Sequence, residues 1–82
     1  MSRQVTLYTR SDCGLCNGAI EELWMLRGPL QFTLVSRNVD DDPALVERYN
    51  DLVPVIAVGD QVVAHAPIDF ANLREVLSAA LG

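Results

Sequence analysis

Cys13 and Cys16 are the residues of this 82-residue chain whose type and spacing allow redox chemistry. They flank Gly14 and Leu15 and follow a β-prone segment, residues 4–9, and a short polar turn. Cysteines at this spacing share the first turn of a helix, where they can cycle between dithiol and disulfide. A bridge across so small a loop constrains the unfolded chain little, which favours a reactive pair over a structural crosslink.

The segments on either side of the cysteines predict a strand and a helix. Residues 4–9 carry β-prone side chains on both faces, which is typical of a central strand. Ser11 and Asp12 offer turn and capping groups. Apolar positions then recur at helical spacing, at Cys16, Ala19, Ile20, Leu23 and Leu26. We expect this helix to end at Gly28-Pro29, because glycine accepts a left-handed cap and proline cannot continue the helix.

A second strand and a short helix are predicted next. Residues 30–39 alternate in apolar character, and a helix between two strands implies a right-handed crossover with parallel pairing. Three aspartates follow, Asp40 to Asp42. We expect Asp42 to cap a helix that has Pro43 at its first position. A divalent cation is the alternative use of these carboxylates, although hard-metal sites usually draw their ligands from separated positions.

The last part of the chain predicts a hairpin and a final helix. The apolar run 52–58 contains Pro54 near its start, where a missing N–H is tolerated, and Gly59-Asp60 separates it from a second β-prone run. An apolar stripe then marks a helix from about Ile68, capped near Asp69. The element order is β-α-β-α-β-β-α, an α/β class of fold.

Length and charge limit the classes of function. We expect one domain over residues 1–82, with its site on the surface of the core fold. The net charge is −5, and the six arginines are scattered, which excludes a basic surface for nucleic acid. No apolar run approaches the roughly 20 residues that span a bilayer. We therefore expect a monomer in the cytoplasm, with neither nucleic acid nor a membrane as partner.

The order of elements and the motifs together resemble the glutaredoxins, in the thioredoxin fold, over nearly the whole chain. Tyr8-Thr9-Arg10 before the C-x-x-C motif resembles the family's Tyr-Thr-Lys lead-in, and Val39-Asp40 matches the end of its second strand. Leu52-Val53-Pro54 resembles the Thr-Val-Pro segment whose proline is cis. The match is closer to the broad glutaredoxin-like group, in which the dipeptide between the cysteines varies, than to typical glutaredoxins.

The resemblance implies a mixed four-stranded sheet with helices on both faces and a thiol–disulfide oxidoreductase. Cys13 is the expected nucleophile, since a helix start stabilises its thiolate relative to the free pKa of about 8.5, and Cys16 is the expected resolving thiol. The expected substrates are protein or small-molecule disulfides, and no metal is expected. The residues expected to bind substrate are Arg10, Gly14, Leu15, Val53, Pro54 and Asp69.

The segment before the last helix departs from the glutathione-binding pattern of glutaredoxins. That pattern has a Gly-Gly turn and two aspartates, whereas this chain has His65-Ala66-Pro67-Ile68-Asp69. The glycines that allow close backbone approach are replaced, and only Asp69 remains of the two acidic positions. We therefore expect no bound cofactor, and both glutathione and a thioredoxin-reductase-type donor remain open as electron sources.

Two other functions remain open at the level of sequence. A non-catalytic binding module would keep the fold and a strand-pairing groove without turnover. An iron–sulfur cluster carrier would use the cysteine pair, but two thiolates need a second subunit or glutathione to complete a four-coordinate site.

Overall fold

The computed structural model describes residues 3–11 and 13–82, so the capping prediction for Asp12 lies outside the described residues. It contains four strands, three α-helices and one 3-10 turn. In chain order these are β1 (Gln4–Thr9), α1 (Gly14–Leu30), β2 (Thr33–Asn38), the 3-10 turn (Val39–Asp41), α2 (Pro43–Tyr49), β3 (Val55–Val58), β4 (Gln61–His65) and α3 (Phe70–Leu81).

The sheet has the strand order β2-β1-β3-β4, which places β1 in its interior. β1 pairs with β2 in parallel and with β3 in antiparallel orientation. β3 and β4 form an antiparallel hairpin around Gly59-Asp60, with a register shift between Ile56 and Ala57. The predicted fold class is therefore confirmed, including the β-α-β-α-β-β-α order, the central first strand and the mixed four-stranded sheet.

The two central strands, β1 and β3, place apolar side chains on both faces of the sheet, and each face has its own helices. Val5, Leu7 and Ile56 are fully buried against α1 and α3, in a cluster that includes Leu23 and Leu77. A second cluster lies on the α2 side and contains Val39, Leu45, Tyr49 and Val55, with Tyr8, Val46 and Val53 packed against it. Burial on both faces explains why β3 is apolar throughout.

The predicted end of α1 at Gly28-Pro29 is wrong, because the helix continues to Leu30. Gln31 takes the left-handed conformation there, with φ of 55°, instead of the glycine. Its N–H donates to the Gly28 carbonyl at 3.2 Å, and the Phe32 N–H donates to the Arg27 carbonyl at 3.1 Å, which together make a Schellman motif. Pro29 is tolerated in the last turn because only one helical hydrogen bond is lost there.

The other two α-helices begin directly after their N-cap residues. Asp42 accepts a hydrogen bond from the Ala44 N–H at 2.9 Å, with Pro43 at the first position of α2, as predicted. Asp69 caps α3, which begins at Phe70 rather than at Ile68. β3 begins at Val55, one residue after Pro54. Within the described residues, no helix is long and apolar enough to cross a membrane.

Candidate active site

Cys13 and Cys16 form a disulfide at the start of α1, with their Cα atoms 5.3 Å apart. Cys13 is the N-cap residue of the helix, and its Sγ accepts a hydrogen bond from the Cys16 N–H at 3.3 Å. Cys13 is partly exposed, whereas Cys16 is only 2% exposed. An incoming reactant can therefore reach the Cys13 sulfur more readily than the Cys16 sulfur.

The loop that carries the cysteines is tied to the turn after β2 and to the end of α2. The Arg10 guanidinium lies 3.1 Å from an Asp40 carboxylate oxygen and donates to the Asn50 side-chain oxygen at 2.5 Å. The Asn38 amide donates to the Ser11 hydroxyl at 3.2 Å. These contacts join segments up to 40 residues apart, and they hold the loop between β1 and α1 against the α2 side of the sheet.

Arg10 also lines a polar hollow of about 400 Å³ that contains the exposed sulfur. The other lining residues are Thr9, Cys13, Gly14 and Asn17. Of the residues expected to bind substrate, Arg10 and Gly14 therefore share one surface with Cys13. Because Arg10 is paired with Asp40, much of its positive charge is already neutralised on this surface.

Val53 and Pro54 connect α2 to β3, and the peptide bond between them is cis. Pro54 is buried and Val53 is partly buried. The Leu52 carbonyl accepts a hydrogen bond from the Ala66 N–H at 3.0 Å, which brings the segment after β4 alongside this connection. No backbone hydrogen bond outside regular helices and strands involves Val53 within ranges 3–11 and 13–82.

A second hollow, the apolar cleft, has a volume of about 120 Å³. Its lining residues are Leu15, Pro54, Ala66, Pro67, Ile68 and Phe70. The tertiary structure thus brings Leu15 and Pro54, both expected at the site, to one surface. The other four were not predicted as site residues, and Phe70, the first residue of α3, is 43% exposed. The run of uncharged residues 66–68 between β4 and α3 is the sequence signal that could have indicated them.

Asp69 has a local structural role in addition to any binding role. One carboxylate oxygen accepts from the Ala71 N–H at 3.1 Å, and the other accepts from the Asn72 side-chain amide at 2.8 Å.

No group of three or more His, Cys, Asp or Glu side chains that could hold a metal ion occurs in the described part of the chain. Asp40 and Asp42, from the aspartate run, are engaged in an ion pair and a helix cap.

Comparison with known families gives a match over residues 4–78 to the glutaredoxin-like domain (DUF836). The chain belongs to this glutaredoxin-like family. The predicted resemblance is thereby confirmed. An uncharacterized protein of Mycobacterium tuberculosis is 31% identical to this glutaredoxin-like chain over 80 residues, covering 90% of this chain and 82% of that protein.

Solved structures show the same architecture. The target protein XcR50 from X. campestris is 37% identical, with a TM-score of 0.76, over 92% of the glutaredoxin-like chain and 96% of its own. Protein Ne2328 from Nitrosomonas europaea is 33% identical, with a TM-score of 0.79, over 96% of this chain and 91% of its own. Thioredoxin 1 from Thermosipho africanus matches at 10% identity with a TM-score of 0.71, covering 95% and 93% of the two chains, and shows the shared fold alone.

Proposed function

We propose that this glutaredoxin-like protein is a thiol–disulfide oxidoreductase that uses the Cys13–Cys16 couple. The observation that supports it most directly is the position of the disulfide at the N-terminus of α1, with one sulfur accessible and the other buried. A pair placed for structure alone has no need of this asymmetry. The neighbouring cleft, which joins Leu15 to Pro54, supplies a surface for the disulfide that is to be reduced.

In the proposed reaction, the reduced Cys13 thiolate attacks one sulfur of a substrate disulfide. A new bond forms between Cys13 and that sulfur, the substrate S–S bond breaks, and the other substrate sulfur leaves as a thiolate. Cys16 then loses its proton and attacks the Cys13 sulfur, which releases the second substrate thiol. The substrate gains two electrons and two protons, and the protein is left with the Cys13–Cys16 disulfide.

The Cys16 N–H contributes to the first step because it points at the Cys13 sulfur. A hydrogen bond and the positive end of α1 both favour a thiolate over a thiol at this position. Arg10 acts mainly by holding the loop through Asp40 and Asn50. Val53, whose backbone groups are available, would pair with an extended substrate as an added strand.

The proposed substrates are protein or small-molecule disulfides in a reducing compartment, with the cytoplasm as the expected location. A donor must return two electrons to the protein after each turnover, and glutathione and a thioredoxin-reductase-type protein are the candidate donors. The replaced glycine turn and the engaged Asp69 carboxylate favour the protein donor. The iron–sulfur alternative stays a prediction that ultraviolet–visible spectra of anaerobically purified protein would test.

The test uses the single substitutions Cys13→Ser and Cys16→Ser, with each protein reduced beforehand and freed of reductant, and a mixed peptide disulfide as substrate. Cys13→Ser is expected to abolish reduction and still fold, because serine is a favourable N-cap residue. Cys16→Ser is expected to accumulate a covalent adduct with the substrate peptide, which intact-protein mass spectrometry detects. Cys16→Ala, which places no hydroxyl at this buried position, controls for the folding of the second variant.

Equal, undiminished reduction by both variants would contradict the proposal. A wild-type thiol that alkylates no faster than a model peptide at neutral pH would instead support the non-catalytic binding module.

A further inference from the structure

We infer that the apolar cleft selects the substrate, by receiving one apolar side chain two residues from the reactive cysteine of a protein disulfide. The cleft is the hollow lined by Leu15, Pro54, residues 66–68 and Phe70. This inference rests on the proposed function, because the cleft gains a role in specificity only if Cys13 exchanges disulfides. It adds a substrate class, namely proteins that have an apolar residue of about leucine size two positions from the reactive cysteine.

The cleft is built by residues brought from three parts of the chain. Leu15 lies between the two cysteines and is 69% exposed, so its side chain is displayed rather than packed. The Phe70 ring approaches Gly18, one turn further along α1, where an added Cβ would lie 3.7 Å from the ring Cζ atom. Leu15 and Gly18 therefore share one face of α1, and Leu15 and Phe70 form one wall of the cleft.

The chemistry of the lining restricts what can enter. All six lining side chains are apolar. A charged group placed there would lose its hydration without gaining a partner. An apolar group would instead remove its own surface and that of the two exposed side chains, Leu15 and Phe70, from water.

The size of the cleft restricts the occupant further. Its volume of about 120 Å³ is somewhat smaller than an engineered 150 Å³ apolar cavity that binds benzene. One leucine, isoleucine or methionine side chain fits this volume. Glutathione does not supply such a group, because its cysteine is flanked by a glutamate, which bears a charged α-carboxylate and amine, and by a glycine without a side chain.

The position of the cleft fits a peptide already attached to Cys13. Leu15 is two residues from Cys13, and Pro54 follows Val53, whose backbone pairs with none of the other described residues. A substrate strand that pairs with Val53 while its cysteine is bonded to Cys13 carries the flanking side chains past this surface. Side chains of a strand alternate, so the residues two positions before and after the substrate cysteine lie on the same face as its sulfur and can reach the cleft.

The experiment measures how a flanking leucine changes the exchange rate. Three peptides contain Ser-Ser-Cys-Ser-Ser, Leu-Ser-Cys-Ser-Ser or Ser-Ser-Cys-Ser-Leu in one common sequence, each joined through cysteine to 2-nitro-5-thiobenzoate. Serine is the reference because a charged residue would add attraction to or repulsion from the acidic protein. The reduced protein releases the coloured thiolate when Cys13 attacks the peptide sulfur, and stopped-flow absorbance gives the second-order rate constant. At least one leucine peptide is expected to react about tenfold faster, equivalent to about 1.4 kcal/mol.

Substitutions of cleft residues test whether the cleft causes the leucine preference. Leu15→Gln and Phe70→Ser are expected to lower the ratio of the leucine rate to the serine rate toward one. Met25→Gln is the matched control, since Met25 is an α1 residue that is 66% exposed and lies outside the cleft. It is expected to keep the wild-type ratio. Because the readout is a ratio, a general loss of activity in a variant does not imitate the effect.

Bis(2-hydroxyethyl) disulfide, which has no flanking residues, distinguishes failure of the cleft inference from failure of the proposed function. Reduction of this disulfide with equal rates for the three peptides would overturn the cleft inference and leave the proposed function standing. A leucine preference that survives both cleft substitutions would also overturn it. Failure to reduce the small disulfide and all three peptides would remove the proposed function, and the inference with it.

Discussion

Replacing Arg3 by methionine is expected to destabilise the protein although the side chain is exposed. Its guanidinium donates to the Gln31 carbonyl at 2.8 Å, to the Leu30 carbonyl at 2.5 Å and to the Leu81 carbonyl at 3.2 Å. One side chain therefore serves carbonyl groups at the C-terminal ends of α1 and α3, where positive charge is favoured.

The expected loss in the free energy of unfolding follows from these contacts. A cation at a helix C-terminus contributes about 0.3–1 kcal/mol, and Arg3 serves two such ends. Exposure to water reduces the additional contribution of the hydrogen bonds. We expect Arg3→Met to lower the free energy of unfolding by about 1.5 kcal/mol, which for a chain of this length lowers Tm by about 6–12 °C. Circular dichroism during heating and urea unfolding of the oxidised protein measure both quantities.

Two other substitutions control this test. Arg3→Lys keeps the charge but loses the planar fork of donors, so an intermediate loss is expected. Arg74→Met removes an equal charge from α3, where Arg74 makes no hydrogen bond or ion pair to the described residues. If Arg3→Met and Arg74→Met were equally stable, the contacts of Arg3 would contribute nothing, and the reasoning would be refuted.

Three further predictions concern the α1 cap, the α1 face below Phe70 and the oxidation of the protein by glutathione disulfide. Gln31→Gly is expected to raise the free energy of unfolding by about 0.5–1 kcal/mol, since glycine adopts φ of 55° without steric cost; a decrease in urea unfolding would contradict this. Gly18→Ala is expected to stabilise α1 by about 1 kcal/mol, because the new methyl group meets the Phe70 ring at an ordinary contact distance. A lower Tm would show that the ring must move. Oxidised glutathione is expected to oxidise the reduced protein more slowly than a leucine-flanked peptide disulfide, as thiol quantification over time would measure; equal rates would count against selection by the cleft.

The local elements of the fold could be predicted from sequence because their signals lie within a few residues. The strand at residues 4–9, the Asp42 cap before Pro43 and the Gly59-Asp60 hairpin each depend on neighbouring side chains. The end of α1 could not be predicted in this way. Gly28 and Pro29 are typical helix terminators, yet Gln31 forms the cap because Arg3 and Phe32 stabilise the longer helix from outside it.

The sequence by itself determined the cysteine pair, its place at a helix start and the order of elements around it. Spacing and periodicity are sufficient for these features, since each is set by local backbone geometry. Only the tertiary structure decided that Leu15, Pro54 and Phe70 share a cleft, and that Arg10 is held by Asp40. These residues are far apart in the chain, and only the packing of helices on both faces of the sheet brings them together.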